Sequence, residues 1–276
     1  MEITAQMVKD LREMSGAGMM DCKKALTEAK GNMDDAVNYL REKGIAKSLK
    51  KESRIAAEGL ANVFIDGNKA VILEVNSETD FVSKNQEFVD MIEEIGVSIM
   101  KSKAKTLEEA KKAETKEGTV EELIISKIAK IGEKLSLRRF TYLEKSDSQV
   151  FGSYIHMGGK IAVLSLLNGS NEEVAKDVAM QSAAMKPTYI FREDVSNEVL
   201  DNEKKIAKEQ AMNEGKPENI AEKISLGKIN KFYEENCLYE QQFIKDNSLT
   251  IKDYLKNNKS EIVNVIRYEV GEGMEH

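Results

Sequence analysis

The pattern GNKAVIL at residues 67–73 returns as GGKIAVL at residues 158–164, and this recurrence constrains the fold more than any other feature of the chain. In both places a turn signal separates two apolar runs of strand length. Asp66-Gly67-Asn68 divides GLANVFI from KAVILEVN, and Met157-Gly158-Gly159 divides GSYIH from KIAVLSLLNG. Glycine reaches the left-handed conformations that tight hairpins need, so both stretches read as β-hairpins. Helical periodicity follows each one, over 86–101 and over 171–184. The pattern therefore predicts an α+β fold with a duplicated subdomain built on antiparallel sheets.

The rest of the chain reads as helices and linkers around that pair. Residues 1–46 form a three-helix module. Thr4 caps a first helix with Val8 and Leu11 inward, and Ser15-Gly16-Ala17-Gly18 breaks it. Asp21 is expected to cap a second helix with Ala25, Leu26 and Ala29 inward. Met33, Ala36, Val37 and Leu40 share a face of a third, which Gly44 is expected to close. Residues 47–55 are a charged linker, and 56–144 hold the first hairpin, helices over 86–101 and 119–131, and a strand over 135–144. Residues 145–195 and 236–276 make the second subdomain, ending in a helix (250–257) and a strand (262–270). Between them, 196–235 is charged and split at Gly215-Lys216-Pro217. Ile206, Ala207 and Ala211 face Ile220, Ile224, Ile229 and Phe232, the pattern of a protruding antiparallel helical hairpin.

Composition narrows the function. Forty-one Lys and Arg against 48 Asp and Glu leave a net charge of −7, which argues against general nucleic-acid binding. Cys22 and Cys237 stand in no CxxC pattern and read as free thiols of a reducing compartment, so a cytoplasmic protein is expected. MEITAQMVKDLREM lacks the apolar run of a signal peptide, and no run approaches the roughly 20 residues of a membrane span. Neither GxxxxGK[ST] nor GxGxxG occurs, and the GGK at 158–160 lies in a hairpin turn. With only His156 and His276, no His-rich metal site can form, and Cys22 and His156 fall in separate modules. No enzyme site, metal or cofactor is expected, which points to a protein that works through its surface.

Three groups are candidates for that surface. In VNSETDFVSKN (75–85), Asp80 and Phe81 sit where a strand meets a solvated turn. Either Phe81 folds back over the end of its strand while Asp80 caps the turn, or Phe81 is presented to another molecule. Met19 and Met20, flanked by Arg12 and Lys23, are either core methionines beside solvated cations or an adaptable docking surface. His156, just before a hairpin turn, is either a satisfied structural group or a contact.

Four segments, VKDLREMSGAGMMDCKKAL (8–26), EVNSETDFVSKN (74–85), AMQSAAMKP (179–187) and IRYEVGEGME (266–275), together resemble bacterial elongation factor Ts along essentially the whole chain. The resemblance implies a nucleotide-exchange factor for the GTPase elongation factor Tu, with 1–46 ubiquitin-associated (UBA)-like and 196–235 a coiled-coil arm. It implies that Thr79, Asp80, Phe81 and Val82 enter the partner's G domain and dislocate its Mg²⁺, with Phe81 as an apolar wedge. Arg12, Met19, Met20 and Lys23 would dock on the same partner, with His156 a secondary contact. The arm is a candidate for homodimer contact, a 2:2 complex or partner contact, or is merely solvated. Some members continue past the last strand with a further helix; this sequence stops at His276, and no contact of that helix is carried over. The rival expectation is a non-exchanging UBA-like adaptor or chaperone-type binder.

Overall fold

The chain is organised as two units, Met1–Leu143 with Met157–Ile161 and Tyr268–His276, and Glu144–His156 with Ala162–Arg267. The computed structural model describes residues 3–169 and 171–274, so the expectation attached to His276 lies outside the described residues. The architecture is mixed α+β, with small antiparallel sheets preceded by helices at the N-terminus.

The first unit begins with α1 (Ala5–Ser15), α2 (Met19–Glu28) and α3 (Met33–Leu49). Thr4 Oγ1 accepts from the Met7 N–H, as expected of the cap, and Gly16 ends α1 in the left-handed conformation (φ +64°). Asp21 does not cap α2. The helix starts behind Gly18, leaving Asp21 inside its first turn, where it pairs with Lys47 at 3.1 Å. Val8, Leu11, Cys22, Ala25, Leu26 and Ala36 close the small core of this module.

Next come β1 (Glu58–Asp66) and β2 (Lys69–Ser77), antiparallel and in register from Asp66↔Lys69 to Glu58↔Ser77. They are followed by the single turn α4 (Asp80–Ser83), α5 (Gln86–Ser102), α6 (Leu107–Lys112), a ribbon of β3 (Glu114–Thr115) and β4 (Gly118–Thr119), α7 (Val120–Ile131) and β5 (Ser136–Glu144). The sheet runs β1-β2-β5. Val71, Leu73 and Val75 of the central strand pack with Phe88, Met91, Ile92, Ile95 and Ile99 of α5 and Leu123 and Ile128 of α7. α3 continues through Gly44 instead of closing there. Gly44 is buried, and a Cβ on it would lie 3.6 Å from Ile125 and 3.7 Å from Ala129. Packing against α7 thus overrides the glycine as a helix stop.

Within β2, Glu74 is fully buried. Its carboxylate accepts from Arg138 Nη1 (3.0 Å), Asn76 Nδ2 (3.0 Å), the Gly271 N–H (2.9 Å) and Arg139 Nε (2.6 Å). Burial pushes this carboxyl up, but the bonds from Gly271, Asn76, Arg139 and Arg138 outweigh it and hold it below the ordinary carboxylate value.

The second unit contains β6 (Gln149–His156) and β7 (Ile161–Asn168), the expected hairpin, then α8 (Glu172–Met185), which stops at left-handed Lys186 before Pro187. α9 (Asn197–Asn213) and α10 (Glu218–Asn236) form the expected helical pair. A ribbon of β8 (Gln242–Phe243) and β9 (Asp246–Thr250), α11 (Ile251–Asn257) and β10 (Glu261–Glu269) complete the chain. The sheet order is β10-β7-β6. Leu167, Val174, Val178, Leu238, Phe243, Ile251 and Leu255 fill its core. The seam between α9 and α10 differs from the expected one. Ala207, Ala211, Ala221, Ser225 and Ile229 are buried, whereas Ile206 and Ile220 are exposed. Small residues let the two helices meet closely, which leaves Ile206 and Ile220 outside the contact while Ile229 stays within it as expected. Cys22 and Cys237 are both free and buried, and burial raises the Cys237 thiol to about 11.

The lowered Glu74 carboxyl predicts acid sensitivity. Its stabilisation is present above the unfolded-state value, about 4.3, and is lost as pH falls through the lower folded-state value. Thermal melts between pH 7 and pH 3 should show Glu74→Gln with a shallower loss of stability over that acid range. At pH 7, Glu74→Ala should cost about 3 kcal/mol, because it strands two partly buried guanidinium groups.

Candidate functional site

The most distinctive surface feature of the first unit grows from the end of β2. Past Ser77 the chain bends at Glu78 and Thr79, the latter with extended dihedrals, and makes the one helical turn of α4. So short a helix has little stability of its own, so other groups must hold it. The Glu133 carboxylate does much of this. Its Oε2 accepts from the N–H groups of Glu78 (3.1 Å) and Thr79 (3.0 Å), and its Oε1 accepts from Thr79 Oγ1 (2.6 Å). Inside the turn, Ser83 Oγ donates to the Asp80 carbonyl (2.6 Å) and Ser77 Oγ to the Thr79 carbonyl (2.9 Å).

Glu133 is itself well placed. It follows Gly132, the left-handed end of α7 (φ +88°). The neighbouring Lys134 N–H donates to Glu78 (2.6 Å), and Lys134 Nζ donates to the carbonyls of Glu52 (2.6 Å) and Arg54 (2.8 Å). Arg54 pairs with Glu78 at 3.2 Å. Lys51 Nζ also donates to the Gly132 carbonyl.

On this braced turn Phe81 is 78% exposed and Val82 only 7%. Successive helical residues point about 100° apart, so seating Val82 in the core turns Phe81 outward. Phe81 therefore does not fold back over its own strand. Asp80 is the first residue of the turn, and its carboxylate pairs with exposed Lys84 at 3.8 Å, an ion pair of small energetic weight.

Arg12, Met19, Met20 and Lys23 lie on α1 and α2, and all four are exposed. Met19 is 60% and Met20 77% exposed, so neither is a core methionine. Met14 is exposed as well, a third methionine that sequence reasoning did not single out. Thr79–Val82 and this group share the first unit but stand on separate elements. His156, the last residue of β6, is exposed and belongs to the second unit. Its ring stacks on Tyr154 with centroids 6.0 Å apart.

Among the described residues no cluster of His, Cys, Asp or Glu is arranged to hold a metal ion, and no helix is long and apolar enough to cross a membrane. What the turn itself offers is an outward aromatic on a braced backbone. Glu133 and Lys134, which hold that aromatic's turn, escaped the sequence. Glu133 lies 54 positions from Thr79, and no local periodicity links the two.

The opposite burial of adjacent residues makes a direct prediction. Phe81→Ala should leave the melting temperature almost unchanged, whereas Val82→Ala should cost about 2 kcal/mol through lost burial and the cavity it leaves. Parallel thermal and urea unfolding of the two variants checks this.

Comparison with known families meets this geometry. The family model described as elongation factor TS matches residues 78–272, a span that opens at the braced turn and includes His156. With well over half of its length matched, this chain belongs to the elongation factor TS family.

Proposed function

We propose that the chain is a guanine-nucleotide exchange factor that binds the GTPase elongation factor Tu in its GDP form and promotes GDP release in translation elongation. Family membership supports the general role. The observation that carries the mechanism is the exposure of Phe81 on a turn whose backbone is already fixed. In this reading Thr79–Val82 enters the partner's G domain, Phe81 is the inserted group, and the partner's Mg²⁺ is dislocated. Mg²⁺ demands near-ideal octahedral geometry, so small displacements of its ligands weaken nucleotide binding strongly. Burying a phenylalanine returns about 1.5–3 kcal/mol, enough to deform such a site. Coupling is reciprocal, so nucleotide binding in turn weakens the factor's hold and releases it.

The remaining assignments follow from the same reading. Residues 1–46 serve as a UBA-like docking module through Arg12, Met19, Met20 and Lys23. Residues 56–144 are one core subdomain, and 145–195 with 236–276 the other, which contributes His156. The helical pair at 196–235 acts as a coiled-coil arm. The protein works in the cytoplasm, without a cofactor of its own. The exposed methionines favour a second reading, in which the module alone is the working part of a non-exchanging adaptor.

Release of a fluorescent GDP analogue from elongation factor Tu, followed by stopped flow at saturating factor, separates the two. Phe81→Ala should slow release roughly tenfold or more, matching a loss of at least about 1.4 kcal/mol, and Asp80→Ala should slow it less. Met19→Ala with Met20→Ala should raise the half-saturating factor concentration and leave the maximal rate intact. A wild-type maximal rate for Phe81→Ala overturns the wedge.

A further inference from the structure

The geometry points to a residue that governs the exchange site without touching the partner. We propose that Glu133 is the positioning residue for Phe81, an inference that rests on the wedge reading above. The turn Thr79–Ser83 is too short to hold its own shape, and its first orphan N–H groups have no side-chain cap of their own: Thr79 makes none for α4. Glu133 does not cap that turn itself; from another part of the chain it holds the two residues that lead into it. One carboxylate takes three donors, two backbone N–H groups and one hydroxyl, on consecutive residues Glu78 and Thr79. Three charge-assisted bonds to adjacent donors fix both the direction of the chain and its rotation as it enters the turn. With Val82 seated in the core on the other side, the backbone of Phe81 is held at both ends.

The bracing is also relayed. Gly132 and Lys134, on either side of Glu133, receive or make bonds to the segment 51–54 that leads from α3 to β1. Arg54 and the Lys134 N–H both reach Glu78, the residue next to Thr79. Glu133 thus sits at the centre of a small lattice that presents Phe81 to the solvent. Its task is to keep the ring in the orientation that insertion requires, so that partner binding need not first order the turn.

A double-mutant cycle on GDP release tests this in the full-length protein. Glu133→Ala should lower the maximal release rate at saturating factor roughly tenfold, an effect no larger than that of removing the ring itself with Phe81→Ala. Glu133→Gln, which keeps an acceptor oxygen but loses the charge, should fall between Glu133→Ala and wild type. Thr79→Val, which removes one of the three donors, should show a smaller loss. A purely structural role would add its defect to any background. A positioning role predicts that Glu133→Ala adds almost nothing once Phe81 is already alanine. Unfolding curves for each variant confirm that the folded state is retained. A wild-type maximal rate for Glu133→Ala alongside a slow Phe81→Ala, or full additivity of the two, overturns the inference. A wild-type rate for Phe81→Ala removes the wedge reading itself, and the inference with it.

Discussion

A single buried carboxylate organises the first unit. Glu74 lies in a strand that is buried from Ala70 to Ser77, where an unpaired charge would be prohibitive. It is tolerated because four donors meet the roughly four lone-pair positions a carboxylate offers. Those donors come from β2 itself, from β5 and from the loop after β10. The bond from Gly271 can form only if the end of the chain returns to β2. Such an ion network contributes little net stability over an apolar core of equal packing, but it is intolerant of alternatives. It fixes which strand lies beside which, and it clamps the middle of the strand that leads into the Phe81 turn.

From that clamp outward, rigidity is passed along the chain. β2 is fixed at Glu74, its exit is fixed at Thr79 by Glu133, and the far side of the turn is fixed by Val82 in the core. For the proposed wedge, a flexible loop would be a poor support, because much of the energy of inserting Phe81 would be spent on ordering the backbone. Here Glu133 and the seating of Val82 hold the turn within this chain alone. The methionines of α1 and α2 have the opposite character, being unbranched, exposed and adaptable. In the proposed reading, a rigid element and a pliable one would suit a factor that deforms one part of a partner while merely adhering to another.

Features with local causes were legible in the sequence. Both hairpins were readable because glycine turns and strand-length apolar runs declare themselves over a dozen residues, and the helices at 86–101 and 196–235 because their periodicity or their Gly-Pro break does. The misplaced Asp21 and Gly44 show where local rules lose. A glycine that ends helices in isolation becomes a contact surface when Ile125 and Ala129 press against it. α6 and the ribbons β3–β4 and β8–β9 were too short to carry a period at all. In the arm, Ala207, Ala211 and Ile229 lie in the seam as expected, whereas Ile206 and Ile220 lie outside it and Ala221 and Ser225, which no apolar period marked, lie within it. Phe81 could be named from its setting, yet its exposure depended on Val82 and Glu133. The second of these lies on a different element altogether.

The adjacency of Phe81 and Val82 has a bearing on how this segment tolerates change in length. Side-chain direction on a helical turn is set by register, so one residue added between Ser77 and Thr79 would drive phenylalanine into the space shaped for Val82. One residue removed would instead put valine where Phe81 faces the solvent, and in either case Glu133 would meet the wrong donors. The open Gly67-Asn68 turn at the other end of β2 carries no such bookkeeping, as nothing lies within 4 Å of a Cβ placed on Gly67. Insertions and deletions should therefore accumulate at that end of the hairpin among related chains, while the count of residues from Glu74 to Val82 stays fixed.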